Sequence, residues 1–136
     1  MKRALFVSLL ILALAFACGK GGKYSDAKAV IDDMVKVTES YIAAMEKAED
    51  ADTVATAMNA YAAGMKKLAP RMQEIEKKYP EFKNQDEPPA ELAESMEKMG
   101  QVMKKMFEVS MKTAKYAEDP KVQAAQKAMQ EAMANK

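Results

Sequence analysis

Between residues 54 and 79 an apolar side chain recurs with a spacing of 4-3-4-3-4-3-4: Val54, Met58, Tyr61, Met65, Leu68, Met72, Ile75 and Tyr79. A mean period of about 3.5 draws one stripe along an α-helix, whereas a half-buried strand alternates with period two. Such a helix gains little from propensity alone and is stable only when other helices cover its stripe. Pro70 falls inside the stretch, removing one backbone donor and crowding the preceding turn. The stripe keeps its phase across Pro70, so one kinked helix is expected, ending at Tyr79-Pro80.

The same period recurs on either side. Val30, Met34, Val37, Tyr41, Met45 and Ala48 draw a stripe on a first helix, widened by Ile31, Val35 and Ile42. Ser25 is expected to cap its start, with Asp26 favoured by the positive helix end. Glu49-Asp50-Ala51-Asp52 ends it, and Asp52 is the expected cap of the second helix. A third helix follows Pro88-Pro89 and runs to about Ala117, with Leu92, Met96, Met99, Met103, Met106 and Ser110 as its seam. Val102, Phe107, Val109 and Met111 flank that seam. Glu118-Asp119-Pro120 then stops one helix and starts a short fourth, with Asp119 capping and Val122, Ala125, Met129 and Met133 facing inward. No stretch alternates and no hairpin turn occurs. The expected fold is all-α: over residues 25–136, an antiparallel up-down helical bundle of three long helices plus a shorter C-terminal helix. Short connections after the first and third helices imply antiparallel neighbours. The short last helix leaves one end of the seam underfilled: either a protein partner or self-association covers it, or the bundle is a monomer open at that end.

Composition limits the chemistry. Thirteen of the 136 residues are Met, aromatics make up 7%, and there is neither Trp nor His, so the core is expected to be aliphatic and thioether-rich. The formal charge of +1 on a surface of mixed sign gives no reason to expect a nucleic-acid partner. Without His, the usual general base and the commonest zinc and haem ligand are missing. Ser40, Ser95 and Ser110 therefore have no base, no Glu-x-x-His di-iron motif occurs, and no Gly-rich loop is present to cradle phosphate. The acidic pairs Asp32/Asp33, Glu49/Asp50 and Asp86/Glu87 are sequence neighbours near helix ends, where capping and solvation account for them. The reading is of a protein that is not an enzyme and has no resident cofactor. Glu74/Lys78 and Glu108/Lys112 stand four apart, acid first, and are expected to pair on the surface for a few tenths of a kcal/mol each.

The N-terminus carries an address. Met1-Lys2-Arg3 is a short basic start, and Ala4 to Phe16 is apolar apart from Ser8. That run is shorter than the ~20 residues a permanent span needs, so it reads as an export signal. It ends in Ala15-Phe16-Ala17-Cys18-Gly19, and Cys18 is the only cysteine, which excludes a disulfide within the chain. This segment resembles the lipobox of bacterial lipoproteins, departing from it in having Ala15 where Leu is usual. The resemblance implies cleavage before Cys18, acylation of its sulfur, and attachment to a membrane through the acyl chains. Gly19 after the cysteine resembles lipoproteins sent to the outer membrane, facing the periplasm. The implied organisation is a signal peptide over 1–17, a lipidated Cys18 with a flexible tether over 18–24, and the helical domain over 25–136. Loss of Lys2 and Arg3 with the signal turns the net charge from +1 to −1.

Two binding chemistries compete with a purely structural or protein-binding role. Met96, Met99, Met103 and Met106 lie within one stretch of the third helix, as Met-x-x-Met pairs. Thioether sulfur is a soft ligand suited to Cu(I), although any bundle also needs apolar residues along its seam, and Met fills it well. The stretch from Asp32 to Pro70 is similar to the periplasmic four-helix b-type cytochromes. That likeness implies a haem ligand at Met34 near the start of the first helix and a His in the last. Met34 is present and the His has no counterpart, with Met129 and Met133 the nearest substitutes. The leading expectation is a lipid-anchored cell-envelope helical bundle with a non-catalytic binding or structural role. The alternative is a Met-rich periplasmic carrier of Cu(I) or haem.

Overall fold

A computed structural model describes residues 22–83 and 87–134. Four α-helices follow one another: α1 (Ser25–Lys47), α2 (Ala51–Lys78), α3 (Ala93–Lys115) and α4 (Pro120–Ala134). Single 3-10 turns at Pro80–Lys83 and Ala90–Leu92 interrupt the connection between α2 and α3. Among the described residues there is no strand, and no helix is long and apolar enough to cross a membrane. Cys18 and the apolar segment before it lie outside the described residues. The helix α2 continues through Pro70, which sits on its exposed side.

The stripe on α2 is the spine of the fold. Val54, Met58, Tyr61, Leu68 and Tyr79 are buried, and Met65, Met72 and Ile75 are half-buried. Val54, Met58, Tyr61 and Met65 meet Tyr41, Ile42 and Met45 of α1, Val102 and Val109 of α3, and Val122 and Ala125 of α4 in one main core. The Tyr41 and Tyr61 rings pack 5.0 Å apart at its centre. Gly64 marks the close crossing of α1 and α2, since a Cβ there would stand 2.8 Å from Val37 Cγ1. A second, smaller cluster of Ala27, Tyr79 and Leu92, with Tyr24, Ile31, Ile75 and Phe82 against it, closes the end where α1 begins.

Polar contacts show which ends meet. Asp26 pairs with Lys78 and Asp33 with Arg71, joining the start of α1 to the end of α2. Ser95 Oγ donates to Asp32 Oδ1 at 2.6 Å and Lys112 Nζ to the Met45 carbonyl at 2.8 Å, so α3 starts beside the start of α1 and ends beside its end. Lys121 and Asp52, 2.6 Å apart, join the starts of α4 and α2. The closely packed pairs are α1–α2, α1–α3 and α2–α4. The expectation that the short connection after the third helix makes α3 and α4 neighbours is therefore corrected. The Tyr116 hydroxyl donates to the Glu49 carbonyl at 2.6 Å, and with Lys121–Asp52 it pins the α3–α4 turn over the α1–α2 turn. From there α3 follows α1 and α4 follows α2.

Two caps also differ from expectation. Tyr24, not Ser25, precedes α1 and makes no side-chain cap; its N–H donates to Glu91 Oε2 at 3.1 Å across the chain. Asp50, not Asp52, caps α2: Thr53 N–H donates to Asp50 Oδ1 at 2.8 Å, and Asp50 N–H donates to Thr53 Oγ1 at 3.3 Å. This reciprocal box needs an acceptor at the cap and a second one three residues on, which Asp50 and Thr53 supply together. Asp119 behaves as expected, accepting from Lys121 N–H at 2.8 Å ahead of Pro120.

The largest revision concerns α3. Its inward face is Leu92, Ser95, Met99, Val102, Met106, Val109, Thr113 and Tyr116, not the stripe through Met96 and Met103. Both stripes have heptad spacing, so spacing alone does not choose between them. Among the helices it packs most closely on α1, and the compact Ser95, Val102 and Val109 suit that close approach better than long thioethers. Met96, Met103, Phe107 and Met111 are left on the outside, 43%, 50%, 73% and 68% exposed.

Candidate functional site

An open cavity of about 390 Å³ lies beside the smaller apolar cluster, between the first half of α1, the last turns of α2 and the start of α3. Helix spacing builds its walls. Val30, Ile31 and Met34 come from one face of α1, Met72 and Ile75 from the seam of α2, and Leu92 and Met96 from successive turns at the start of α3. Phe82, Pro88 and Pro89 close the side formed by the α2–α3 connection. Pro89 sits at φ −52° and ψ 142°, the extended conformation proline favours. The size falls in the range of about 300–1,000 Å³ that small-molecule sites occupy.

Among the described residues, the charged ones lining the cavity are Glu76 and Glu87, both exposed. Neither makes an ion pair or a hydrogen bond among the described residues. Other carboxylates nearby are engaged. Asp32 accepts from Lys28 at 2.7 Å as well as from Ser95, and Lys28 above all holds its carboxyl below the usual range. Asp33 bonds Arg71 at 2.7 Å and Lys36 at 3.3 Å, and is lowered chiefly by Arg71. The sequence reading assigned the Asp32/Asp33 pair to capping and solvation. Its structural role is larger, since one carboxylate ties α1 to α3 and the other ties α1 to α2.

The chain enters the domain next to this cavity. The Tyr79 hydroxyl lies 2.7 Å from Asp26 Oδ1 and 2.8 Å from the Lys23 carbonyl, and can donate its proton to either. Glu81 Oε1 accepts from Lys23 Nζ at 3.1 Å and from the Tyr24 hydroxyl at 3.3 Å. Tyr24, Tyr79 and Phe82 stack among themselves, with ring centroids 5.0–5.2 Å apart. These contacts fix the segment after Gly22 to the cavity end of the bundle.

The sequence-derived site residues separate in space. Met34 lines the cavity and is half-buried. Met96 lines it too, from the start of α3. Met99 and Met106 pack against the main core, and Met103 is on the outer side, so the four α3 methionines do not converge on one point. Met129 packs against the core and Met133 is exposed; neither lines the cavity that holds Met34. Cys18 lies outside the described residues. The sequence places Met72 with Met58 and Met65 as a thioether repeat of the α2 seam, apart from Met34. Its regular place in the α2 seam marked it as packing, and only the fold brings its thioether to the same cavity as Met34 and Met96. Among the described residues no three His, Cys, Asp or Glu side chains gather into a cluster that could hold a metal ion. Compared with protein families, with characterised proteins and with solved structures, the chain matches none.

Proposed function

We propose that this chain is a lipid-anchored cell-envelope protein, held at the outer membrane on its periplasmic side by acyl chains on Cys18. Its helical domain, read as an antiparallel up-down array of three long helices and a shorter fourth, acts without catalysis by binding a small amphiphile. One observation carries the binding role: an apolar cavity whose lining charges, among the described residues, are two carboxylates with no described partner. Apolar walls reward an alkyl chain with about 25 cal/mol per Å² removed from water. Glu76 and Glu87 favour a neutral or cationic head and repel an anionic one.

Titration calorimetry of the full chain with decylammonium, decanol and decanoate tests this directly. Saturable one-to-one binding is expected for the first two, with decanoate about tenfold weaker, a difference of about 1.4 kcal/mol. Glu76→Gln combined with Glu87→Gln should narrow that gap. No saturable binding of any of the three contradicts the proposal. The anchor has its own test: mass spectrometry of the native protein should find a mature chain that begins at an acylated Cys18, and an unmodified thiol contradicts it.

A second reading rests on the three thioethers of Met34, Met72 and Met96, brought to one cavity by three different helices. Three soft donors suit Cu(I), and this trio replaces the α3 set as the carrier's ligands. One equivalent of Cu(I) held against a chromophoric chelator, and lost in Met72→Leu, would favour it. In the haem form of this reading Met34 would be one ligand, and a Soret band that is lost in Met34→Ala would favour it.

A further inference from the structure

The outer side of α3 is unpartnered, and its pattern fits a second copy of itself. Met96, Gly100, Met103, Phe107 and Met111 follow one another at helical spacing along that side. The four large side chains are 43–73% exposed, and around Gly100 a Cβ would meet nothing within 4 Å. A stripe of this kind on a monomer marks a contact surface. The charges beside it say what covers it. Glu97, Lys104, Glu108 and Lys115 run along one flank in the order acid, base, acid, base.

Anionic lipid does not match that flank, because Glu97 and Glu108 stand next to the apolar residues. A second α3 in the same direction does not match either, since a twofold axis along the helices sets this flank beside the opposite edge of the partner's stripe and leaves its alternating charges without their complements. An α3 in the opposite direction matches throughout. With a twofold axis crossing at the height of Met106, Glu97 faces Lys115 of the second copy and Lys104 faces its Glu108, and symmetry repeats both pairs. In the same register Phe107 packs on Met103 of the other chain, and Met111 reaches the open space over its Gly100. We infer that two copies of this protein associate through α3, antiparallel, about this axis. A twofold pairing uses the same patch on both partners, as the self-complementary flank requires. The two chain starts then lie at opposite ends of the paired helices, roughly 35 Å apart for 23 residues at 1.5 Å each. Two copies anchored in one membrane therefore carry α3 along its plane.

Cysteine pairing in the membrane-bound full chain reads both the association and its direction. Chains carrying both Glu97→Cys and Lys115→Cys should form a disulfide-linked dimer on mild oxidation, and chains carrying either change alone should not. The two positions lie too far apart on one helix to bridge within a chain. Phe107→Glu, at an exposed position that leaves the fold intact, should abolish the dimer, as should Glu97→Lys tested by light scattering. Glu97→Lys with Lys115→Glu should restore it. Three results would overturn the inference: cross-linking by either single-cysteine chain, which means another direction or register; a monomer at every concentration; or loss of vesicle binding in Phe107→Glu with the dimer unchanged, which would make this side a lipid contact.

Discussion

Lys112 of α3 closes the end of α1: its ammonium donates to the carbonyls of Met45 at 2.8 Å and Glu46 at 2.7 Å. The last carbonyls of a helix have no partner within it, and the helix dipole makes that end negative. A cation from a neighbouring helix answers both needs and fixes how far α3 slides along α1. Replacing Lys112 by Met keeps the alkyl stem and removes the donors. The expected cost is about 1–2 kcal/mol in denaturant unfolding, with Lys112→Arg recovering part of it. Equal stability of Lys112→Met and the parent chain would remove this contact from the account.

The cap of α2 separates two acids that sequence rules treat alike. Asp50→Ala breaks both bonds of the reciprocal box and should lower stability by about 1 kcal/mol. Asp52→Ala removes only an ion pair in which both side chains are 65% exposed, and should change stability by less than about 0.5 kcal/mol. Thermal melts of the two variants decide it, and the reverse order would restore Asp52 as the cap.

The rotated face of α3 gives a similar contrast between neighbours in sequence. Val102 is 6% exposed and Met103 50%. Val102→Ala should cost about 2 kcal/mol through lost burial and a residual cavity. Met103→Ala, measured at concentrations too low for association, should cost almost nothing although it deletes the larger side chain. Met45→Ala, at a position fully buried in the main core, should cost the most of the three, about 2–5 kcal/mol.

Acid should loosen the cavity end first. Hydrogen bonds from Lys78 and then Tyr79 hold the Asp26 carboxyl down at about 2, against about 3.9 in an unfolded chain. Its contribution is therefore complete above about pH 4 and is lost as pH falls towards 2. The Asp26 side chain is 40% exposed, so solvent screening leaves only part of the full linkage effect. Melting temperatures below pH 4 should fall less steeply in Asp26→Asn than in the parent. An unchanged acid limb would argue against the Asp26–Lys78–Tyr79 link.

What the sequence made legible follows from how local each signal is. The α2 stripe, its passage through Pro70 and the Asp119-Pro120 start of α4 were readable because a few neighbouring residues decide them. The face of α3 was not, because Met96/Met103 and Val102/Val109 have the same spacing and the packing partner chooses between them. Lys78 and Lys112 were assigned to acids four residues away, but the fold offers each a partner on α1 that also meets a helix-packing need. Met34 was singled out from the sequence, whereas its companionship with Met72 and Met96 depends on how three helices pack together. The cavity became visible only once those elements were assembled.

Labelling the methionine methyl groups and following them by NMR during a decylammonium titration tests the central claim most directly. The account predicts that Met34, Met72 and Met96 shift together and saturate at one equivalent, while Met45 in the main core and Met111 on the outer side of α3 stay still. Shifts that begin at Met103 and Met111, or none at the three cavity methionines, would contradict it.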